Sequence, residues 1–176
     1  LADAALAVLG TRDDIAVTEL CLMDEPLQYF SEGFFAQRER LLAAKELDHP
    51  RLRYAHQFAE ADAIVIAAPF WDLAFPALLK VYIENVSVEG ITFGCNASGC
   101  FGICRAQRML FLTTRGGSYD GAPDEMGARY LETLCGFFGI PRFDCVAADG
   151  LDLGLRPVEE ILAEAKSKAA ALAAAL

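Results

Sequence analysis

Apolar residues along this chain change their period several times, and each change marks an element. The opening segment, "LADAALAVLG", places Leu1, Ala5, Val8 and Leu9 on one helical face. Ile15 to Leu22 ("IAVTELCL") has the composition of a strand, and Asp24, Glu25 and Pro26 end it. Glu32 to Lys45 returns to helical spacing through Phe34, Phe35, the stem of Arg38, Leu41 and Leu42, with only weak capping. Pro50 can open a further helix through Ala59, because its missing N–H would have no partner there in any case.

After Asp62 the run "AIVIAAP" is apolar without alternation, which fits a strand covered on both faces, as in a parallel sheet. Phe75, Leu78, Leu79, Tyr82, Ile83 and Val86 then form a helical stripe with Pro76 in its first turn. Arg108 to Thr114 ("RMLFLTT") is a second buried strand, broken by Gly116 and Gly117. Met126, Tyr130, Leu131, Leu134, Phe137 and Phe138 stripe the next helix, which Gly139 closes. "RFDCVAA" gives the last strand, and Pro157 to Leu176 a final amphipathic helix. This alternation predicts one α/β domain over residues 1–176, an open parallel sheet with helices on both faces.

Charge narrows the partners. Fifteen basic against 25 acidic residues leave a net charge of −10, which repels phosphate backbones and anionic lipid, so neither nucleic acid nor a membrane is expected. Apolar runs such as Ala63 to Phe70 are far shorter than the roughly 20 residues that span a bilayer. Six scattered cysteines and no secretory leader point to the cytoplasm rather than to a disulfide scaffold. The chain starts on Leu1, as if inside a helix, and a preceding segment is expected.

In open α/β sheets, ligands sit beyond the carboxyl ends of the strands. Two loops fall there. In the first, Pro69, Phe70, Trp71, Asp72 and Leu73 could offer flat side chains to a flat ligand and the amides of Asp72 and Leu73 to its edge. Capping the core is the plainer role for such aromatics. In the second, Thr114 and Arg115 lead into Gly116 and Gly117, where missing side chains let backbone approach a ligand closely; an ordinary turn with a solvated arginine is the alternative. Cys95, Cys100 and Cys104, at gaps of five and four, leave a tetrahedral metal site one ligand short, so no metal is expected. His49 and His56 stand without accompanying cysteines or carboxylates and enter no site.

Four separated blocks, "ADAIVIAAPFWDLAFPALLKVYIENV", "GITF", "TTRGGSY" and "LCGFFGI…AADGL", together resemble the FMN-dependent NADH azoreductase and NAD(P)H:quinone oxidoreductase family of flavodoxin-like proteins. The resemblance covers nearly all of Ala61 to Leu151. It implies a five-stranded parallel sheet in order 2-1-3-4-5, FMN at the switch point and a homodimer with sites at the subunit interface. Pro69 to Leu73 would wrap one side of the isoalloxazine, with Thr114 and the amides of Arg115, Gly116 and Gly117 at its pyrimidine edge. The family's opening strand and serine-rich phosphate loop have no counterpart here. Their expected place is before Leu1, which would leave a gap between the strands starting near Ile15 and Ala63.

Other positions depart from the family in ways that suggest roles. Asp72 stands where Asn is common. Tyr119 and Asp149 stand where some relatives have His and Glu, implying a Tyr119–Asp149 contact beside the flavin, with the phenol donating to an acceptor oxygen. Phe93, Cys95 and Trp71 would line the substrate side, Cys95 replacing an aromatic on a flap that carries Gly99 and Gly102. The implied activity is FMN-dependent transfer of hydride equivalents from NADH or NADPH to quinones, azo compounds or similar flat acceptors. A flavodoxin-like electron carrier, or a binding protein without catalysis, is the alternative.

Overall fold

The computed structural model describes residues 1–176. Strands β1 (Ala63–Ala67), β4 (Arg108–Thr114) and β5 (Phe143–Ala148) form a parallel sheet in order β1-β4-β5. Ala63 pairs with Arg108 at one end, and Thr114 with Ala148 at the other. The central strand explains why "RMLFLTT" does not alternate. Met109 and Phe111 join a cluster with Tyr54 and Phe58 of α3 (Arg53–Glu60), Leu79 and Ile83 of α4 (Ala77–Val86) and Leu131 of α5 (Gly127–Phe138). Leu110 and Leu112 point the other way, onto Ala5 and Leu9 of α1 (Ala2–Leu9) and Ala165 and Ala169 of α6 (Val158–Ala173). Both faces of β4 are therefore dry.

The amino end of this sheet carries an ionic clamp. Arg108 at the start of β4 donates through Nε to Asp144 Oδ2 of β5 at 2.6 Å. That hydrogen bond holds the Asp144 carboxyl below its ordinary range against the opposing effect of burial.

Three expectations need correction. Ile15 to Leu22 is not a strand and joins no ladder. Leu20 and Leu22, partly buried, pack against the cluster of Phe58 and Ile66, and Ile15 against the opposite one, while Ala16, Val17 and Cys21 are exposed, so three of the segment's apolar residues are used for docking. Composition announces burial; pairing needs a neighbouring strand, and β1 is paired on one side only, with β4. These residues thus build three strands of the five-strand order 2-1-3-4-5. The helix expected from Pro50 begins as a 3₁₀ turn, Pro50–Leu52, before α3. Helix α2 (Glu32–Ala43) does have a cap: Ser31 Oγ accepts from the Phe34 amide at 3.3 Å.

Between α4 and β4 the chain forms a hairpin not anticipated as strands, β2 (Phe93–Asn96) and β3 (Gly99–Gly102), antiparallel with Phe93 opposite Gly102. Its base docks on the end of α5, where Gly139 takes the left-handed conformation at φ 78°. A Cβ at Gly102 would lie 1.8 Å from the Phe138 carbonyl carbon, so only glycine allows this approach. Phe93 stacks on Phe137 with centroids 4.8 Å apart.

Candidate functional site

The two loops singled out by sequence are neighbours. The Phe70 amide donates to the Thr114 carbonyl at 3.0 Å, continuing the β1–β4 ladder past its last pair. The Phe70 and Tyr119 rings lie 4.5 Å apart, and the Arg115 guanidinium sits 5.4 Å from the Phe70 centroid. Pro69, Phe70, Trp71, Asp72, Leu73, Thr114, Arg115, Gly116, Gly117, Tyr119 and Asp149 thus gather at the carboxyl end of the sheet.

The first loop holds a costly shape. Asp72 and Leu73 both have left-handed backbones, φ 49° and 66°, a region that penalises a branched aliphatic residue such as Leu73. Bonds on either side hold it: the Trp71 carbonyl accepts from Ala74 at 2.8 Å, and the Leu73 carbonyl from Met126, just before α5, also at 2.8 Å. The amides of Trp71, Asp72 and Leu73 donate to no protein group. Trp71 is 59% exposed, so it is not capping the core.

In the second loop the carbonyls are consumed and the amides left over. Leu151, Asp152 and Gly150 donate to the carbonyls of Arg115, Gly116 and Gly117 at 3.0, 2.9 and 2.9 Å, while the Arg115 amide donates to Ala148 at 2.8 Å. The loop after β5 is therefore a backing strip for the glycine loop. With the carbonyls of Arg115, Gly116 and Gly117 committed to that strip, Gly116, Gly117 and Ser118 present amides with no internal acceptor. A Cβ on Gly116 would meet Asp152 Oδ2 at 2.2 Å, and one on Gly117 the Tyr119 ring at 2.9 Å.

Beneath these amides lies an ionic network. Arg115, only 4% exposed, reaches Glu125 Oε1 through Nη2 at 3.1 Å and Asp149 Oδ1 through Nη1 at 3.6 Å. The second distance is within ion-pair reach but too long for a hydrogen bond. Arg115 is therefore neither a solvated residue nor a free charge, since carboxylates under the loop engage its side chain. Asp149 does meet Tyr119, but its Oδ2 accepts the Tyr119 backbone amide at 2.8 Å, not the phenol. The expected pairing is real in partners and different in atoms.

Phe93 and Cys95 are not brought beside the loops within one chain. Phe93 lines a separate groove of about 750 Å³ with Tyr29, Phe35, Lys80, Tyr130 and Phe137. Cys95 is disulfide-bonded to Cys100, its register partner across the hairpin, so the side chain expected as a free wall is one half of an exposed rung. Cys104 remains a thiol, pushed up to about 11 by burial. A second cleft, also about 750 Å³, borders Tyr119 and Asp149 but none of residues 69–73, nor Gly116 or Gly117. The unpaired amides lie outside it.

Sequence reasoning missed Glu125 and the strip from Gly150 to Asp152. Nothing in "GAPDEMG" sets Glu125 apart from other acids on helix approaches. The strip works only through its backbone, which side-chain patterns do not report.

Comparison with known proteins agrees with this architecture. The chain is 50% identical over 122 residues, 69% of its own length and 62% of the relative's, to an FMN-dependent NADH:quinone oxidoreductase of Clostridium perfringens. It is 48% identical over 125 residues, with the same shares, to FMN-dependent NADH:quinone oxidoreductase 2 of Clostridium acetobutylicum. The match therefore spans a little under two thirds of these curated relatives. In three dimensions the chain is similar to an azoreductase from Bacillus anthracis strain Sterne, at TM-score 0.87 and 28% identity, covering 99% of this chain and 89% of that one. A family model described as "Flavodoxin-like fold" matches residues 1–173, and with its parallel sheet and paired helix layers the chain belongs to that family.

Proposed function

We propose that the chain is a single flavodoxin-like domain that holds FMN and passes hydride equivalents from NADH or NADPH to a quinone, azo compound or other flat acceptor. One observation carries the reading: two adjacent loops expose six backbone amides, Trp71 to Leu73 and Gly116 to Ser118, with no acceptor in the protein. A ring whose edge carries carbonyl oxygens and ring nitrogens would satisfy them, and the names of the quinone oxidoreductase relatives supply FMN as that ring.

When bound, the flavin supplies the hydride chemistry, so no protein nucleophile is required. The chain's part is to bind and orient. Amides of Gly116 and Gly117 would hold the pyrimidine edge and favour negative charge there. Trp71 and Phe70 would cover one side and the Asp72 and Leu73 amides would hold the rim, while Thr114 anchors the first loop through its carbonyl. Tyr119, half-buried against Phe70, keeps its phenol available to donate to an acceptor oxygen, while Asp149 fixes its backbone. Phe93, Cys95 and Trp71 form the substrate wall. Because Phe93 lies in another groove of the same chain, the wall is completed by a second copy, and the exposed aromatic groove of Tyr29, Phe35 and Phe137 supports that homodimer. The charge of −10 supports the absence of nucleic acid and membrane partners, and the few, scattered cysteines support a cytoplasmic location.

The experiment is an absorbance spectrum of the purified protein, followed by addition of NADH without oxygen. Flavin bands that bleach support the reading; a colourless protein that takes up no added FMN ends it. Gly117→Val sharpens the placement. Its side chain would displace the Tyr119 ring, which can rotate, so the fold is retained while FMN affinity falls by about tenfold or more, equivalent to one amide contact.

A further inference from the structure

Glu125 is the only acidic residue of the chain in the buried class, at 6% exposure, and the proposed chemistry gives it no task. It sits just before α5, where its Oε1 and Oε2 accept the Ala128 amide at 3.0 and 3.2 Å. The same Oε1 forms an ion pair with Arg115 Nη2 at 3.1 Å. On its other side Arg115 faces Asp149, whose second oxygen takes the Tyr119 amide. A continuous polar path thus runs from the first turn of α5 through Glu125, Arg115 and Asp149 to the amide next to Gly116, Gly117 and Ser118.

We propose that Glu125 is a positioning residue that fixes the amide array of the glycine loop through Arg115 and Asp149. A buried guanidinium is tolerable only when paired, and between two carboxylates its orientation is determined. Without the Glu125 charge, Arg115 is left with Asp149 at 3.6 Å and is drawn toward it. The Asp149–Tyr119 bond then has to yield, and so does the loop that it closes. The role of the array in holding flavin rests on the reading above; the mechanical coupling does not.

Glu125→Gln separates the possibilities, because the glutamine carbonyl can still cap Ala128 while the charge is gone. Amide hydrogen exchange on flavin-free protein should speed up about tenfold at the paired amides that hold the loop, Tyr119 and Gly150 to Asp152, for the loss of one buried ion pair, with α5 protection changed by less than about twofold. Titrations with oxidised and reduced FMN should weaken about tenfold and about threefold respectively, since less compensated Arg115 charge favours the reduced anion. Arg115→Lys combined with Glu125→Gln should be non-additive. Unchanged loop exchange, or a parallel rise in α5 and the loop, overturns the proposal by reducing Glu125 to a helix cap. Equal weakening for both flavin states also overturns it. If the protein takes up no FMN, the flavin reading fails and the exchange result still decides the role of Glu125.

Discussion

The glycine loop and the β2–β3 hairpin both use glycine to bring backbone close to its support, yet they are held in opposite ways. The loop is gripped along its length, by four backbone bonds to residues 148–152 and by the Arg115 network beneath. The hairpin is gripped at its base, by Gly102 against the end of α5 and by Phe93 on Phe137, while Cys95 to Cys100 are all exposed. A surface that must present amides at fixed spacing needs the first arrangement. A cover that admits and releases a flat molecule is served by the second.

The largest expected effect breaks the hairpin's base. In Gly102→Val the new Cβ would lie 1.8 Å from the Phe138 carbonyl carbon and 1.9 Å from the Gly139 nitrogen, and neither backbone can swing aside as a side chain would. The hairpin must lift or the end of α5 must move, at a cost of about 3 kcal/mol, the upper range for overpacking. A fall in denaturant midpoint at constant slope would measure it. A loss below about 1 kcal/mol would mean that the base is as loose as the tip, and the contrast would vanish.

Next comes the loop's own support. Asp149→Ala removes the acceptor of the Tyr119 amide and leaves Arg115 with Glu125 alone, for a cost of about 2 kcal/mol, typical of a bond to a charged group. The same variant should lose protection by exchange at Tyr119 and at Gly150 to Asp152, the paired amides that hold the loop, with the hairpin unaffected. Loss of protection in both regions would show that they are one cooperative unit and not two.

How much of this could be read from sequence follows from the same physics. Strand β4 was legible because a strand covered on both faces must be continuously apolar; β1 was legible from its β-branched run, but the expected cover on both faces fails, since Val65 and Ala67 are exposed on a strand paired on one side only, and β5 likewise exposes Cys145. The helices α4, α5 and α6 were legible because each buries a single stripe. Ile15 to Leu22 deceived because an apolar, β-branched composition accompanies partial docking by Ile15, Leu20 and Leu22 as well as strand pairing. The hairpin was illegible as strands because "GCNASGC" lacks apolar alternation, its pairing being held by a glycine contact and a covalent rung. At the site, the loops and their neighbourhood were readable from glycines, aromatics and position. Glu125 and residues 150–152 were not, since their roles depend on partners far away in the chain.

The smallest global effect concerns that rung. Cys100→Ser removes the Cys95–Cys100 disulfide from a hairpin whose tip is already in water. Chain entropy for so short a closed loop gives about 2 kcal/mol, but this is relieved locally, because opening the tip exposes almost no additional apolar surface. Exchange at residues 95–100 should therefore rise about thirtyfold while the global midpoint moves by less than about 0.5 kcal/mol. Wild-type protein treated with dithiothreitol, which delivers two electrons and two protons to the sulfurs, should reproduce the variant's exchange pattern. Under denaturing conditions its thiols should titrate as six, against the four free cysteines of the oxidised form. A global loss comparable to that of Gly102→Val would place the disulfide among the supports of the base. The hairpin would then be held along its length like the glycine loop, and the distinction between fixed surface and movable cover would fall.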